Sequence, residues 1–555
     1  MTDPLNPLIV QSDHTVLLEV ASPKADDARR ALARFAELEK SPEHVHTYRI
    51  TPLSLWNAAS AGLSPGEVAA SLSGFAKYPV PSVVLSEVHD QMGRHGRLRI
   101  VRDFDSGGLA LTTHEPAILE EVVRDRTLAD LVGARLDGNR YAIRIGDRGS
   151  VKQALIRLGW PAADEAGYTE GETLHFELTC ELRTYQAEAV EAWWADGSAT
   201  GGNGALVLPC GAGKTVIGIA ALAQVGAHCL IVATSITAAR QWISELVDKT
   251  DIDESLIGEY SGERKQIRPI TVATYQVLTW AVSGSSEESD VFARHPHLAL
   301  FDRTQWGLVI YDEVHLLPAP VFRATARIQA VRRLGLTATL IREDGKQADV
   351  FSLIGPKRYD APWRDLEAQG WIAPASCTEI RVDMSNERRM DYAVARQSER
   401  YRLAATAPEK LSVVEDLIGR HRGERILVIG QYLDQLRIVA DSLGAPLVTG
   451  QTSQRVRDER FAAFRNGEIP VLVVSKVANF AIDLPEASVG IQISGTFGSR
   501  QEEAQRLGRL LRPKADGRQA YFYTVVTRET VDQTFAANRQ RFLTEQGYGY
   551  TITDA

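Results

Sequence analysis

The sequence lacks the features that mark exported, disulfide-bonded or membrane-anchored proteins. Cysteine occurs four times in 555 residues, and no two cysteines form a CxxC pair. This excludes a visible cysteine-based zinc site and a disulfide framework, and it favours a reducing cytoplasm. No apolar run approaches the roughly 18 residues that span a bilayer, and the first residues lack the basic-then-apolar pattern of an export signal. We therefore expect a cytoplasmic protein that does not associate with a membrane.

An excess of positive charge is also absent. Lys and Arg number 62 against 71 Asp and Glu, which gives a formal net charge of -9. A histone-like basic surface is thereby excluded, although a local groove can still bind nucleic acid. Hydrophobic residues make up 44% of the chain, enough for several packed cores. At about 150 residues per domain, the length predicts roughly three to four domains.

Two stretches of the sequence alternate short apolar segments with helical patterns. The first runs from about residue 204 to residue 339, and the second begins near residue 425. This alternation predicts parallel sheets with helices on both faces. The pattern before residue 124 is mixed and mainly helical, and it resembles that of a winged-helix domain. A smaller αβ pattern follows it. The predicted fold class is therefore α/β, with two tandem parallel-sheet domains preceded by smaller mixed α/β domains.

The motif LPCGAGKT begins at Leu208, between an apolar strand and a helical segment. Gly211 and Gly213 allow a tight turn that points backbone N–H groups at phosphate oxygens. Lys214 reaches the β- and γ-phosphates, and the Thr215 hydroxyl is a Mg²⁺ ligand. Leu208 stands where the strict phosphate-loop pattern has glycine, and an ordinary glycine-rich turn is the alternative. The predicted ATP-binding loop comprises Pro209, Cys210, Gly211, Ala212, Gly213, Lys214 and Thr215.

An acidic pair ends a second apolar strand, WGLVIYDEVH. At that position Asp312 can hold Mg²⁺, and Glu313 can orient and deprotonate the water that attacks the γ-phosphate. For such a pair taken alone, the alternative is a solvated turn. Together with the phosphate loop the pair predicts ATP hydrolysis, with Lys214, Asp312 and Glu313 as catalytic residues and Thr215 and Asp312 as metal ligands.

A basic helical segment lies in the second α/β region. SRQEEAQRLGRLLRP places Arg509 and Arg512 three residues apart, on one helix face. A guanidinium that contacts the transferring γ-phosphoryl group is worth about 10³- to 10⁵-fold in rate. We therefore include both arginines among the predicted catalytic residues. The alternative is a solvated basic helix face.

The order of the motifs carries a family resemblance over roughly residues 180 to 545. The motifs, in chain order, are LRTYQ, PCGAGKT, ATSITAARQW, TVATYQ, DEVH, GLTAT, IREDG, VVSKVANFAIDLPEA and QRLGRLLR. This series resembles superfamily 2 helicases and, within them, the XPB family in its bacterial form. The resemblance implies two RecA-like motor domains and an ATP-dependent DNA helicase or double-strand translocase of 3′-to-5′ polarity. It further implies a role in DNA repair, including nucleotide excision repair.

The resemblance also implies a division of the chain and further site residues. The predicted domains are an XPB-type N-terminal domain (1–124), a damage-recognition-like domain (125–180), helicase domain 1 (181–368) and helicase domain 2 (369–555). The further ATP-site residues are Arg183, Tyr185, Gln186, Asp483 and Gln505. Of these, Gln186 is implied to contact the adenine edge through its amide, and the alternative for it is a capped helix start. The residues implied in coupling and strand separation are Thr337, Thr339, Arg342, Glu343 and Asp344. The DNA phosphate contacts, chosen by position after strands, are Thr234, Ser235, Thr274, Gln431, Thr449, Gly450, Ser475 and Lys476.

Two rival functions remain open at this point. One is a restriction-type or RNA-directed translocase of the same superfamily. The other is a nucleotide-gated DNA-binding protein that recruits partners and hydrolyses little ATP. In the favoured interpretation the cofactors are ATP and Mg²⁺, the partner is single-stranded, duplex or forked DNA, and a nuclease or another repair protein is a candidate protein partner.

Overall fold

The computed structural model describes most of the chain. The described residues are 3–40, 44–103, 107–168, 170–198, 200–209, 211–282, 291–302, 304–318, 321, 324–326, 331–338, 347–361, 366–367, 369, 371, 374–475, 487–495, 519–545 and 550–555. Contacts divide the chain into two units. The first consists of residues 1–37, 47–208 and 213–360, and the second of residues 38–46, 209–212 and 361–555.

The N-terminal region contains short strands and amphipathic helices. Its strands are β1 (Leu8–Val10), β2 (Thr15–Glu19), β3 (Glu37–Lys40) and β4 (Val45–Arg49). Its helices are α1 (Ala25–Leu32), α2 (Pro52–Ser60), α3 (Pro65–Phe75) and α4 (Ser82–Arg94). Both α2 and α3 start with a capping box, formed by Thr51 with Ser54 and by Ser64 with Glu67, and proline follows each cap. These local signals fix where the helices begin.

A mixed five-stranded sheet follows among the described residues. Its strands are β5 (Leu98–Arg102), β6 (Leu109–Thr113), β7 (Val132–Asp137), β8 (Arg140–Ile143) and β9 (Ala163–Asp164), in the order β7–β8–β6–β5–β9. Its helices are α5 (Pro116–Val123), α6 (Arg126–Ala129) and α7 (Arg148–Arg157). Strand β6 pairs with β8, so the sheet joins strands from both sides of residue 124. Pairing between strands that are distant in sequence leaves no local sequence signal. The division of the chain into four domains stays a prediction.

A buried ion cluster connects α7 with β9. The Asp164 carboxylate accepts hydrogen bonds from Arg148 Nε at 2.9 Å and from Lys152 Nζ at 3.2 Å. All three side chains are buried. Burial raises the pKa of Asp164, but the charges of Lys152 and Arg148 lower it by more, so the net pKa lies below its usual range. Asp164 is therefore ionised wherever the protein is folded at ordinary pH.

Asp164→Asn is expected to destabilise the fold by about 3–5 kcal/mol, because two buried cations lose their shared anion. Because the folded-state pKa is lowered, this contribution is present above the unfolded pKa of about 4 and is lost as the pH falls below it. Urea unfolding followed by far-UV circular dichroism measures the change. Asp137→Asn, on an exposed pair with Arg140, is the control and should leave the midpoint nearly unchanged. Equal midpoints for the two variants would contradict the conclusion that Asp164 stabilises the fold by pairing with the two buried cations.

The first parallel sheet has seven strands among the described residues. They are β10 (Asn203–Val207), β11 (Cys229–Ala233), β12 (Ile257–Tyr260), β13 (Ile270–Thr274), β14 (Leu308–Asp312), β15 (Arg332–Thr337) and β16 (Lys357–Asp360), in the order β12–β13–β11–β14–β15–β10–β16. The helices are α8 (Thr184–Trp194), α9 (Lys214–Val225), α10 (Ile236–Lys249), α11 (Tyr275–Leu278), α12 (Val291–Arg294) and α13 (Gln347–Leu353). Every residue of β11 and β13 is buried, which explains their continuous apolar sequences.

A second seven-stranded parallel sheet lies within the described part of residues 375–554. Its strands are β17 (Ala375–Val382), β18 (Ile426–Ile429), β19 (Leu447–Val448), β20 (Val471–Val474), β21 (Val489–Gln492), β22 (Ala520–Thr527) and β23 (Thr551–Asp554), in the order β19–β20–β18–β21–β22–β17–β23. Its helices are α14 (Asn386–Val394), α15 (Gln397–Ala405), α16 (Lys410–Arg420), α17 (Leu433–Leu443), α18 (Gln454–Arg465) and α19 (Val531–Glu545). The predicted α/β class with two tandem parallel sheets is confirmed. None of the helices in the described ranges is both long and apolar enough to cross a bilayer.

Candidate nucleotide-binding site

The site lies at the carboxyl ends of three neighbouring strands of the first parallel sheet. Strand β15 is paired with both β14 and β10, and Val207 lies beside Thr337 while Asp312 lies beside Leu336. In open α/β sheets, ligands bind outside the carboxyl ends of the strands. The topology therefore brings the glycine-rich loop, the acidic pair and the GLTAT motif to one edge.

The phosphate loop connects β10 to α9, which begins at Lys214. Gly211 has φ 87° and Gly213 has φ 74°, so both adopt the left-handed conformation that costs other residues roughly 1–2 kcal/mol. At Gly213 a Cβ atom would lie 2.6 Å from Gln186 Nε2. Glycine is therefore required there for close approach as well as for backbone conformation. Pro209 and Ala212 lie in the described loop, whereas Cys210 lies outside the described residues.

Lys214 and Glu313 form the centre of the site. Lys214 Nζ lies 3.4 Å from Glu313 Oε1 and 3.4 Å from the Leu208 carbonyl oxygen. The second carboxylate oxygen of Glu313 is buried and makes no hydrogen bond to any residue that the structure describes. Glu313 also has φ 49°, a left-handed conformation that is unusual for a residue with a side chain. Strain of this kind concentrates at functional sites, where the surrounding structure maintains it.

The two carboxylates of the acidic pair differ in the direction of their pKa shifts. Burial raises the pKa of Glu313, but its interactions with Lys214 and His315 lower it by more, so Glu313 stays ionised. Burial and the adjacent charge of Glu313 raise the pKa of Asp312 to about 6. A nearby divalent cation favours the ionised form of such a carboxylate. Glu313 is thus ionised, as a group that accepts a proton must be, and Asp312 is the carboxylate that a bound cation would keep ionised.

Asp312 is held by two aromatic side chains that the sequence analysis did not select. The Trp242 indole N–H donates a hydrogen bond to Asp312 Oδ2 at 3.2 Å. The Tyr275 hydroxyl donates to the Asp312 carbonyl oxygen at 3.0 Å. Trp242 lies in the motif ATSITAARQW and Tyr275 in TVATYQ. Membership of these motifs was therefore the sequence signal that could have identified both residues as part of the site. The Trp242 contact orients the carboxylate, and the Tyr275 contact holds the backbone of Asp312.

His315 links the acidic pair to the GLTAT motif. Its Nδ1 lies 2.6 Å from Thr337 Oγ1 and 3.4 Å from Glu313 Oε2. His315 and Thr337 are both buried. The predicted coupling residue Thr337 therefore contacts a group that itself contacts the predicted base. Its partner in the motif, Thr339, lies outside the described residues.

Gln186 lies beside the phosphate loop, at the start of α8. Its side-chain oxygen accepts a hydrogen bond from the Arg183 backbone N–H at 3.0 Å, and the Tyr185 hydroxyl lies 3.2 Å from Arg183 Nη1. This is the helix-capping arrangement that is the alternative to an adenine contact. The two roles are compatible because a cap uses the amide oxygen and leaves the NH₂ group as a donor. Adenine recognition by these residues remains a proposal.

The predicted DNA contacts occupy strand ends and helix starts in both units. In the first unit Ser235 caps α10 and Thr274 caps α11 through their hydroxyls, and the Thr234 carbonyl accepts from Gln276. In the second unit the predicted residues are Gln431, Thr449, Gly450 and Ser475. Their backbones belong to the turns that follow β18, β19 and β20. Ser235 and Thr274 thus have a capping role in the structure, and DNA contact by any of these residues remains a prediction.

Several predicted site residues lie outside the described part of the chain. They are Cys210, Thr339, Arg342, Glu343, Asp344, Lys476, Asp483, Gln505, Arg509 and Arg512. Their roles remain predictions from the sequence.

The donor set of the site fits Mg²⁺ bound together with a nucleotide. Thr215 supplies a hydroxyl at the start of α9, Asp312 a buried carboxylate, and Glu313 a carboxylate oxygen without a hydrogen bond to the described residues. These are the hard oxygen donors that Mg²⁺ prefers. No group of three or more His, Cys, Asp or Glu that could hold a metal occurs in the described ranges.

Known families and proteins match the chain over nearly its whole length. Residues 366–555 match the ERCC3/RAD25/XPB C-terminal helicase, residues 179–342 the type III restriction enzyme res subunit, and residues 8–137 a helicase conserved C-terminal domain. The DNA 3′-5′ helicase XPB of Mycobacterium tuberculosis is 56% identical over 558 residues, with coverage of 100% of this chain and 98% of that protein. The chain belongs to the XPB helicase family.

Two other relatives extend this family assignment. The DNA 3′-5′ helicase XPB of Kineococcus radiotolerans is 56% identical, with 100% of this chain and 97% of that protein covered. The general transcription and DNA repair factor IIH helicase/translocase subunit XPB of Antonospora locustae is 35% identical, with 99% and 81% covered. XPB-family membership thus places the phosphate loop and the acidic pair in a DNA helicase.

Proposed function

We propose that this XPB-family chain is an ATP-dependent DNA helicase or double-strand translocase that moves 3′ to 5′ and acts in DNA repair. The observation that carries the proposal is the Lys214–Glu313 pair, 3.4 Å apart at the carboxyl ends of a parallel sheet. A cation that binds phosphate and an ionised carboxylate that accepts a proton are the two groups that nucleotide hydrolysis requires.

The residues of the site divide the chemical work. Lys214 binds the β- and γ-phosphates, and the loop N–H groups hold the same oxygens. Glu313 orients the attacking water and takes its proton. Thr215 and Asp312 would hold Mg²⁺, which would neutralise negative charge on the phosphates. Trp242 and Tyr275 keep Asp312 in place through their hydrogen bonds.

Two further groups of residues take part in the proposed mechanism. Arg509 and Arg512 stabilise the charge of the transferring phosphoryl group. Thr337, through its contact with His315, senses whether ATP or its hydrolysis products are bound. The partner is DNA, joined by a nuclease or another repair protein. A reducing cytoplasm suits Cys180, Cys229 and Cys377, which form no disulfide within the described residues.

The purified full chain is expected to hydrolyse ATP faster by at least about tenfold with DNA than with RNA of the same sequence. Phosphate contacts supply sequence-independent binding, and the B-form duplex distinguishes DNA from A-form RNA. Phosphate release measured with single-stranded, duplex and forked DNA and with RNA tests this. Equal or greater stimulation by RNA would contradict a repair helicase and favour the RNA-directed alternative.

A further inference from the structure

Trp280 is a large aromatic side chain that the nucleotide site does not include. It follows the last residue of α11 by two positions and is 54% exposed. Its backbone is nonetheless fixed on both sides. The Trp280 N–H donates to the Val277 carbonyl at 3.3 Å, and the Trp280 carbonyl oxygen lies 3.3 Å from His295 Nδ1. Trp280 is therefore an exposed ring on a rigid support.

Two further aromatic rings support the Trp280 ring. The His297 ring meets it edge to face, with the ring centroids 5.8 Å apart. The Tyr260 ring meets His297 in the same way at 5.7 Å, and the Tyr260 hydroxyl lies 2.8 Å from His297 Nδ1. Tyr260 is buried, His297 is half-buried and Trp280 is exposed, so this aromatic cluster leads from the core to the surface. Such packing limits the orientations that the indole can adopt.

The aromatic cluster lies beside predicted DNA contacts. Tyr260 is the last residue of β12 and pairs with Ala273 on β13, one residue before Thr274. Strand β13 pairs in turn with β11, and two more of the predicted contacts follow the end of β11. The cluster and these polar strand ends therefore share the carboxyl edge of the first parallel sheet.

The loop between β12 and β13 is basic. Arg264, Lys265 and Arg268 are exposed in it, and Lys265 Nζ lies 5.0 Å from the ring centroid of the tyrosine in the aromatic cluster. Glu263 is the one acidic residue in the sequence of this loop, and it is paired with Arg240. The surface beside the cluster is thus locally positive, in a chain whose net charge is -9. Cations in such an arrangement attract the phosphates of nucleic acid.

We propose that an unpaired DNA base stacks on the Trp280 ring, with the neighbouring phosphates beside the loop between β12 and β13. Every base has a π-face, and aromatic side chains beside a positive groove bind single strands without sequence preference. In a duplex each base is already stacked on its neighbours, so the exposed ring selects single-stranded or forked DNA. This inference rests on DNA as the proposed partner and adds a base contact to the predicted phosphate contacts.

Fluorescence anisotropy of the full chain with labelled single-stranded DNA and with blunt duplex DNA tests the proposal. Trp280→Ala is expected to weaken single-strand binding by about 5- to 150-fold and duplex binding by at most about twofold. Trp280→Phe should retain most of the single-strand affinity, because a phenyl ring still stacks. Tyr78→Ala is the matched control and should bind as wild type does, since Tyr78 is also 54% exposed but lies after α3 in the N-terminal region.

The salt dependence of single-strand binding separates stacking from charge. The slope of log K against log salt concentration should be the same in Trp280→Ala and wild type, because no phosphate contact is removed.

Unchanged single-strand affinity in Trp280→Ala would overturn the stacking site and would leave the ring to a protein partner. An equal loss on single-stranded and duplex DNA would also overturn it, because a backbone contact or a folding defect acts on both forms. Neither result alters the expected stimulation of ATP hydrolysis by DNA. The absence of any DNA binding by the wild-type chain would instead overturn the proposed function together with this site.

Photochemical cross-linking provides a second measurement that needs no variant. Single-stranded DNA that carries 5-iodouracil is irradiated in complex with the wild-type chain, and the cross-linked peptides are identified by mass spectrometry. A cross-link at Trp280 is expected. A result in which Trp280 is not cross-linked would overturn the proposal.

Discussion

Glu313→Gln is expected to lower DNA-stimulated ATP turnover by about 10²- to 10⁴-fold, the range that a general base contributes. The amide keeps the size of the side chain but cannot accept a proton from water. Glu313 can take this role because it is ionised: Lys214 and His315 lower its pKa by more than burial raises it. ATP affinity should stay within a fewfold of wild type, since the phosphate loop is unchanged.

Phosphate release and nucleotide affinity, measured on the same preparation, separate these two effects. Glu254→Gln is the matched control, because Glu254 is exposed in a short turn of the same unit, and its turnover should equal wild type. Undiminished turnover in Glu313→Gln would show that another group takes the proton. It would also favour the alternative function, a nucleotide-gated DNA-binding protein that recruits partners and hydrolyses little ATP.

Lys214→Ala is expected to weaken ATP binding by roughly 10- to 100-fold and to lower turnover as well. The estimate follows from about 1.5–3 kcal/mol for hydrogen bonds to a charged group. In the structure Lys214 touches Glu313 and the Leu208 carbonyl, so its ammonium group already lies at the loop. Fluorescent nucleotide titration measures the affinity.

Lys249→Ala is the control for this variant, because Lys249 lies at the far end of α10 and pairs with Asp248. Its nucleotide affinity should match wild type. Equal affinity in Lys214→Ala and Lys249→Ala would contradict the assignment of residues 208–215 as the phosphate loop.

The sequence predicted those elements of the fold and of the site that are formed by consecutive residues. The strand–loop–helix order around Lys214 and the acidic strand end at Asp312 are read from a few consecutive residues each. The apolar strands also predicted the parallel sheets, because both faces of such strands are buried. The fold class was therefore accessible before the structure.

Contacts between distant segments were not predictable in this way. Trp242 donates to Asp312 across 70 residues, and His315 contacts Thr337 through the pairing of β14 with β15. The pairing of β6 with β8 across residue 124 likewise depends on the folded chain. The function of Gln186 also cannot be derived from its position at the start of α8, because its amide caps the helix whether or not it also recognises adenine.

The most direct test of the account is the effect of Arg512→Ala on single-turnover ATP hydrolysis with saturating DNA. The account predicts that ATP affinity stays within about threefold while the rate falls by about 10³- to 10⁵-fold, as expected when a guanidinium that stabilises the phosphoryl transition state is removed. Arg420→Ala, on an exposed helix face of the second unit, should hydrolyse ATP like wild type. A wild-type rate in Arg512→Ala would contradict the proposed role of Arg512 in stabilising the transferring phosphoryl group.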